Sequence, residues 1–256
     1  MSDLWIAPAP DDVSDAAPRF IARVAADAVS RRGQFTIALA GGSTPLAAYA
    51  HLAAIPGIPW QQTHIFWGDE RCVPPEHPDS NFRAAHTALL ARAPIPLENV
   101  HRMRGEDDPQ AEVRRYESLI REVVVGSPPR FDLILLGLGT DGHTASLFPG
   151  SEALDEGERL VVAAIPPPYA QHTRITFTLP LINAARRVLF LATGGEKASV
   201  AAQILEGRSL QLPAGRVRLC DGEITWMLDE AAASELSPRL RRAGRRAWAD
   251  RTRPAG

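Results

Sequence analysis

Apolar positions along the chain follow two periods. Phe20, Ile21, Val24, Ala25, Ala28 and Val29 recur at helical spacing and predict an amphipathic helix over 12–32, stopped at Gly33. Residues 35–40 predict a strand, from which Gly41-Gly42-Ser43-Thr44-Pro45 leads into an Ala-rich helix. A short strand at 64–67, a loop over 68–80, a helix over 81–92 and another over 110–125 follow, the last with Val113, Tyr116, Ile120, Val123 and Val124 on one side. Phe131-Asp132-Leu133-Ile134-Leu135-Leu136 is nearly continuously apolar, as strands buried on both faces of a parallel sheet are. Residues 161–165, 188–192 and 224–228 predict further strands, and 174–179 alternates with a period of two. Thr193-Gly194-Gly195 opens a helix toward Leu205. Strands alternating with helices predict an α/β fold with a mostly parallel sheet covered by helices. No repeat and no linker divides the chain, so 1–256 reads as one domain. Seven arginines follow Pro238, a segment expected to be a solvated, flexible tail or at most a short frayed helix.

Composition narrows the function classes. A formal net charge of −2 across 256 residues argues against nucleic acid as the partner. No apolar run reaches the ~20 residues of a membrane span. Met1-Ser2-Asp3-Leu4-Trp5 lacks the basic and apolar regions of a signal peptide. Cys72 and Cys220 lie far apart with no metal-type spacing, which fits reduced thiols in the cytoplasm. No obligate protein partner is evident. Of 28 basic residues only Lys197 is a lysine. A background that favours Arg leaves Lys where an ammonium is needed, or leaves it by chance.

Four loops follow predicted strands, the edge where open α/β sheets bind ligands. In the first, Gly41 and Gly42 permit close approach of a ligand, Ser43 and Thr44 offer hydroxyls, and the helix start attracts anions. A plain capped turn would look the same. No Gly-Lys-Ser/Thr follows, which argues against a nucleotide triphosphate loop. In the second, 137–149, His143 stands two residues from Asp141 among glycines. Imidazole can take a proton from water near neutral pH, and a carboxylate can orient it; an Asp and His capping a turn is the plain alternative. The third is Thr193-Gly194-Gly195-Glu196-Lys197, a helix start with an ammonium. The fourth is Gly68-Asp69-Glu70-Arg71, with Asp79-Ser80-Asn81 beyond. Arg71 and Arg174 are candidates for an oxyanion, or ordinary ion-pair partners. Asp69 and Glu70 could ligate a metal, but no His/Cys/carboxylate cluster completes such a site, and no His pairs with Cys72 to make it a nucleophile.

These segments, in this order and over roughly residues 5–230, resemble bacterial 6-phosphogluconolactonases. The resemblance implies a Rossmann-like three-layer α/β sandwich, shared with glucosamine-6-phosphate deaminases and ribose-5-phosphate isomerases. It also implies hydrolysis of a phosphorylated sugar lactone without metal or other cofactor. On this sequence the family's catalytic His falls on His143, with Asp141 beside it. The phosphate loop falls on Gly41, Gly42, Ser43 and Thr44. Substrate-binding positions fall on Arg71, Asn81, Arg174 and Lys197. The deaminases share the Asp-Gly-His turn but continue with a stretch whose Glu assists the His. Here Phe148 stands at that position and cannot move protons, which favours the hydrolase. A deaminase or isomerase would betray itself by ammonia release or aldose–ketose exchange. A non-catalytic sugar-phosphate sensor would lack the acid/base residues or carry a DNA-binding segment, for which this chain has no room.

Overall fold

A computed structural model of the chain describes residues 3–209 and 211–252. In chain order its strands are β1 (Asp3–Ala7), β2 (Phe35–Leu39), β3 (Thr63–Trp67), β4 (Asp69–Arg71), β5 (Leu133–Leu136), β6 (Val161–Ala164), β7 (Arg174–Phe177), β8 (Arg187–Ala192) and β9 (Glu223–Asp229). Its α-helices are α1 (Pro10–Arg32), α2 (Ser43–Leu52), α3 (Asn81–Ala85), α4 (Pro109–Val123), α5 (Leu179–Ala184), α6 (Ala198–Leu205) and α7 (Pro238–Thr252).

Six strands form a parallel sheet in the order β1-β9-β8-β5-β2-β3. The apolar run of β5 is explained by its two buried faces. Leu133 and Leu135 join Phe35, Ile37 and Leu39 of β2 in a core covered by α1 and α2. Ile134 and Leu136 join Val188 and Phe190 of β8 in a second core, covered by α4 and α6. There Phe190 stacks on Trp226 of β9 with ring centroids 3.8 Å apart. Burying such a side chain fully is worth about 1.5–3 kcal/mol.

The chain runs outward from β2 to β3, then returns to the other side of β2 for β5. The loops after β2 and β5 therefore diverge, and a crevice opens between them at the carboxyl ends of the strands. This reversal places the site.

Four features depart from the sequence reading. The strands at 161–165 and 174–179 do not enter the parallel sheet. β6 and β7 pair antiparallel with each other and with β4 in a second, three-stranded sheet. The predicted helix over 81–92 is α3 followed by a π-helical turn, His86–Leu90. β1, at the sheet edge, is a strand that the sequence pattern does not predict. The Arg-rich segment is a 15-residue helix, α7, packed across β1. Leu240, Ala247 and Trp248 pack against the two cores, and Gly244 is buried between them, so the apolar stripe is helical even though the arginines dominate the composition. Arg253 of that segment, and Met1 and Ser2, lie outside the described residues.

Candidate active site

The loops after β2, β3, β5 and β8 end on one rim. After β2, Gly41 lies flat against Asn81. A Cβ on it would run into the Asn81 side chain and force it to move. Gly42 is the N-cap of α2 and offers no side-chain cap, which leaves the first-turn amides for a ligand. After β8, the Gly194 amide donates to the Asp229 carboxylate at 3.1 Å. The hydroxyls of Thr44 and Thr193 are 2.8 Å apart and tie the two helix starts together.

The turn after β5 is closed by Gly139 N–H donating to the His143 carbonyl at 2.8 Å and Gly142 N–H to the Gly139 carbonyl at 3.0 Å. His143 Nδ1 lies 2.6 Å from Asp141 Oδ1, which also accepts the His143 amide at 3.0 Å. The other Asp141 oxygen accepts the Tyr169 hydroxyl. Burial alone would raise the Asp141 carboxyl, but the hydrogen bonds from Tyr169 and His143 outweigh it and hold it below the ordinary aspartate value. An ionised Asp141 can only accept, so the proton of neutral His143 sits on Nδ1 and Nε2 keeps its lone pair. The ring packs on Phe148 with centroids 4.7 Å apart. The turn allows this only because residue 139 is glycine: a Cβ there would lie 2.1 Å from His143 Nδ1.

Gly41, Gly42, Arg71, Asn81, His143 and Lys197 line one cavity of about 220 Å³. Asp141 stands behind His143, and Ser43 and Thr44 lie in the first turn of α2 without lining the cavity. Arg174 does not line it either; it is buried beside Arg71, its register partner across β4 and β7. Burial, and then the charge of Arg71, lower the Arg174 guanidinium from its ordinary value. The Nε of each arginine is buried without a partner among the described residues. A larger hollow of about 600 Å³ beneath α7, lined in part by Leu4, Ile204, Trp226 and Leu240, holds none of the candidate residues.

Asp69 and Glu70 are occupied by the protein itself. Asp69 accepts the Ser146 hydroxyl at 2.6 Å, binding β4 to the His143 turn. Glu70 accepts the amides of Asn81 and Phe82 at 2.7 Å each, at the start of α3. Burial nevertheless raises its carboxyl above the ordinary value, outweighing those bonds. Burial likewise pushes the Cys72 thiol up to about 11, which keeps it protonated and unreactive at neutral pH.

Two features escaped the sequence reading. Tyr169 comes from a Pro-rich loop with no chemical signal, and its hydroxyl reaches Asp141 from 28 positions away. His77, Asp79 and His172 come together although no sequence spacing marks them as metal-ligand types.

A family model described as glucosamine-6-phosphate isomerases/6-phosphogluconolactonase matches residues 8–226. The chain belongs to this family. A 6-phosphogluconolactonase of Synechocystis is 45% identical over 217 residues, covering 82% of this chain and 88% of that protein. The structure of 6-phosphogluconolactonase from Trypanosoma brucei matches with a TM-score of 0.84 at 32% identity, covering 93% of this chain and 99% of that one. A monomeric glucosamine-6-phosphate deaminase of the NagB superfamily matches with a TM-score of 0.78 at 22% identity and shares the fold. Membership accounts for the α/β sandwich expected from the motifs. No helix among the described residues is long and apolar enough to cross a membrane.

Proposed function

We propose that this protein hydrolyses 6-phospho-D-glucono-1,5-lactone to 6-phospho-D-gluconate, the lactonase step of the oxidative pentose phosphate pathway, in the cytoplasm. The observation that carries the reading is His143, held by Asp141 at 2.6 Å, in a cavity it shares with Lys197 and the Gly41-Gly42 helix start.

The phosphate dianion docks on the first-turn amides of α2, with Gly41, Gly42, Ser43 and Thr44 forming the cradle and Lys197 supplying charge. Arg71, backed by Arg174, supplies a second cationic wall, and Asn81 holds the loop in place. Anchored this way, the lactone presents C1 to His143. Nε2 takes a proton from water as its oxygen attacks C1. The carbonyl becomes a tetrahedral oxyanion, stabilised by the neighbouring cations. On collapse the C1–ring oxygen bond breaks, the imidazolium returns its proton to the ring oxygen, and the acid is released. Asp141 keeps the ring in the tautomer this requires.

The deaminase reading is disfavoured by one contact. Phe148 packs on the His143 ring where proton shuttling between carbons would need a carboxylate.

The test is a coupled assay of product formation, corrected for spontaneous hydrolysis, on the phosphorylated lactone and on its unphosphorylated counterpart. Saturable turnover of the first and poor binding of the second is expected. Equal activity on both overturns the phosphate anchor, and ammonia release from glucosamine 6-phosphate overturns the reaction class.

A further inference from the structure

Beside the cleft, the 72–80 and 166–173 loops meet. They are joined at one end by Cys72 N–H donating to the Thr173 carbonyl at 2.8 Å. Nearby, His172 Nε2 lies 3.1 Å from Asp79 Oδ2, and His77 Nδ1 lies 3.9 Å from the same oxygen. The two imidazoles stand edge to face, centroids 5.3 Å apart. One donor atom from each of the three residues lies within 4.8 Å of the others. Zinc binds N and O ligands at about 2.0–2.2 Å, so tetrahedral ligands stand roughly 3.3 Å apart. The two separations to Asp79 bracket that spacing, and the donor atoms, all within 4.8 Å of one another, would draw together around an ion.

Two further observations fit a cation, although His77 Nδ1 accepts the Asp79 amide at 3.1 Å, a bond that ligation through Nδ1 would exchange for the ion. His172 holds a left-handed backbone, φ 64°, uncommon for a residue with a Cβ, at the point where its ring meets Asp79. All three side chains are part-exposed, so an ion enters from solvent and keeps a coordination position for water.

We infer that His77, Asp79 and His172 form a binding site for a borderline divalent transition ion, zinc by its donor set of two imidazoles and one carboxylate. The ion braces the rim of the cleft rather than entering the reaction. Asp79 offers its backbone carbonyl to the Arg71 guanidinium, and Arg71 lines the cavity. Tyr169, which reaches Asp141, lies three residues before His172 on the same loop. The site is separate from the lactonase reading and stands or falls without it.

The test uses the full, untagged chain, stripped with chelator and titrated with Zn²⁺ and with Co²⁺. One ion per chain, a visible-region Co²⁺ spectrum of tetrahedral type, and a Tm that rises with ion concentration are expected. His77→Ala and His172→Ala each weaken binding at least about tenfold and remove the Tm rise, whereas His143→Ala leaves both intact. Unchanged metal-free Tm shows that the variants fold; if it falls, Asp79→Asn carries the same comparison. The inference is overturned by the absence of stoichiometric binding, by binding indifferent to His77 and His172, or by binding lost with His143, which would put the ion in the catalytic cleft.

Discussion

Two histidine–aspartate pairs stand on the same rim and differ in kind. His143 and Asp141 are two positions apart, folded onto each other by a turn in which a Cβ at 139 would displace both side chains. His172 and Asp79 are 93 positions apart and meet because two loops are strapped together beside the second sheet. The first pair faces a cavity with cations around it and keeps one imidazole nitrogen free. The second turns its histidine onto the carboxylate, beside another histidine. In the proposed readings the same two residue types serve proton transfer in one place and cation binding in the other. The surroundings decide: a lone imidazole backed by one carboxylate suits a base, while a ring of converging donors suits an ion.

The sharpest way to break this contrast is to remove each histidine in turn in chelator-treated buffer. His143→Ala should lower kcat by about 10²–10⁴-fold with little change in KM, the usual share of a general base. His172→Ala should leave kcat unchanged; similar losses from both would erase the distinction. Gly139→Ala comes next. Its Cβ would collide with His143 Nδ1, and a displacement of the base by about 1 Å costs on the order of 10²-fold in kcat. A fully active Gly139→Ala would mean that His143 need not sit against Asp141.

Lys197→Ala should act on KM, by about 10–100-fold, because losing a charge-assisted hydrogen bond is worth about 1.5–3 kcal/mol. Steady-state kinetics on the phosphorylated lactone reads this out, and a change confined to kcat would remove Lys197 from the phosphate. The smallest effect belongs to Tyr169→Phe. One hydrogen bond that lowers the Asp141 carboxyl is lost, so its titration, followed by NMR, moves up toward the ordinary value of 3.8. The fold favours the carboxylate, so Asp141 lends stability above that value and loses it as pH falls through the lowered one; the substitution shrinks that contribution. An unmoved titration would show that the Tyr169 contact has no energetic weight.

The contrast between the pairs also shows what a sequence can disclose. Strands β2, β5 and β8 announce themselves as apolar runs ending in glycine, and the crevice follows from their order. His143 and Asp141 are legible because the contact is local. β4 is not: Asp69-Glu70-Arg71 looks like a charged loop, and its carboxylates are buried only because Ser146, Asn81 and Phe82 arrive as donors from elsewhere. Arg174 reads as an exposed partner, yet its register against Arg71 in an antiparallel sheet buries it. In α7 six arginines mask the stripe of Leu240, Ala247 and Trp248 that docks the helix on β1. Tyr169, His77 and His172 depend on loop geometry, to which no period or spacing points.

The central claim is that neutral His143 takes the proton from water. The dependence of kcat on pH, corrected for spontaneous hydrolysis and measured side by side on wild type and His143→Ala, tests it most directly. Only unprotonated imidazole can act, so the wild-type rate should fall on the acid side as a single group gains a proton, and the residual rate of the variant should lack that limb. A wild-type profile without the acid limb, or a variant that keeps it, would contradict the account.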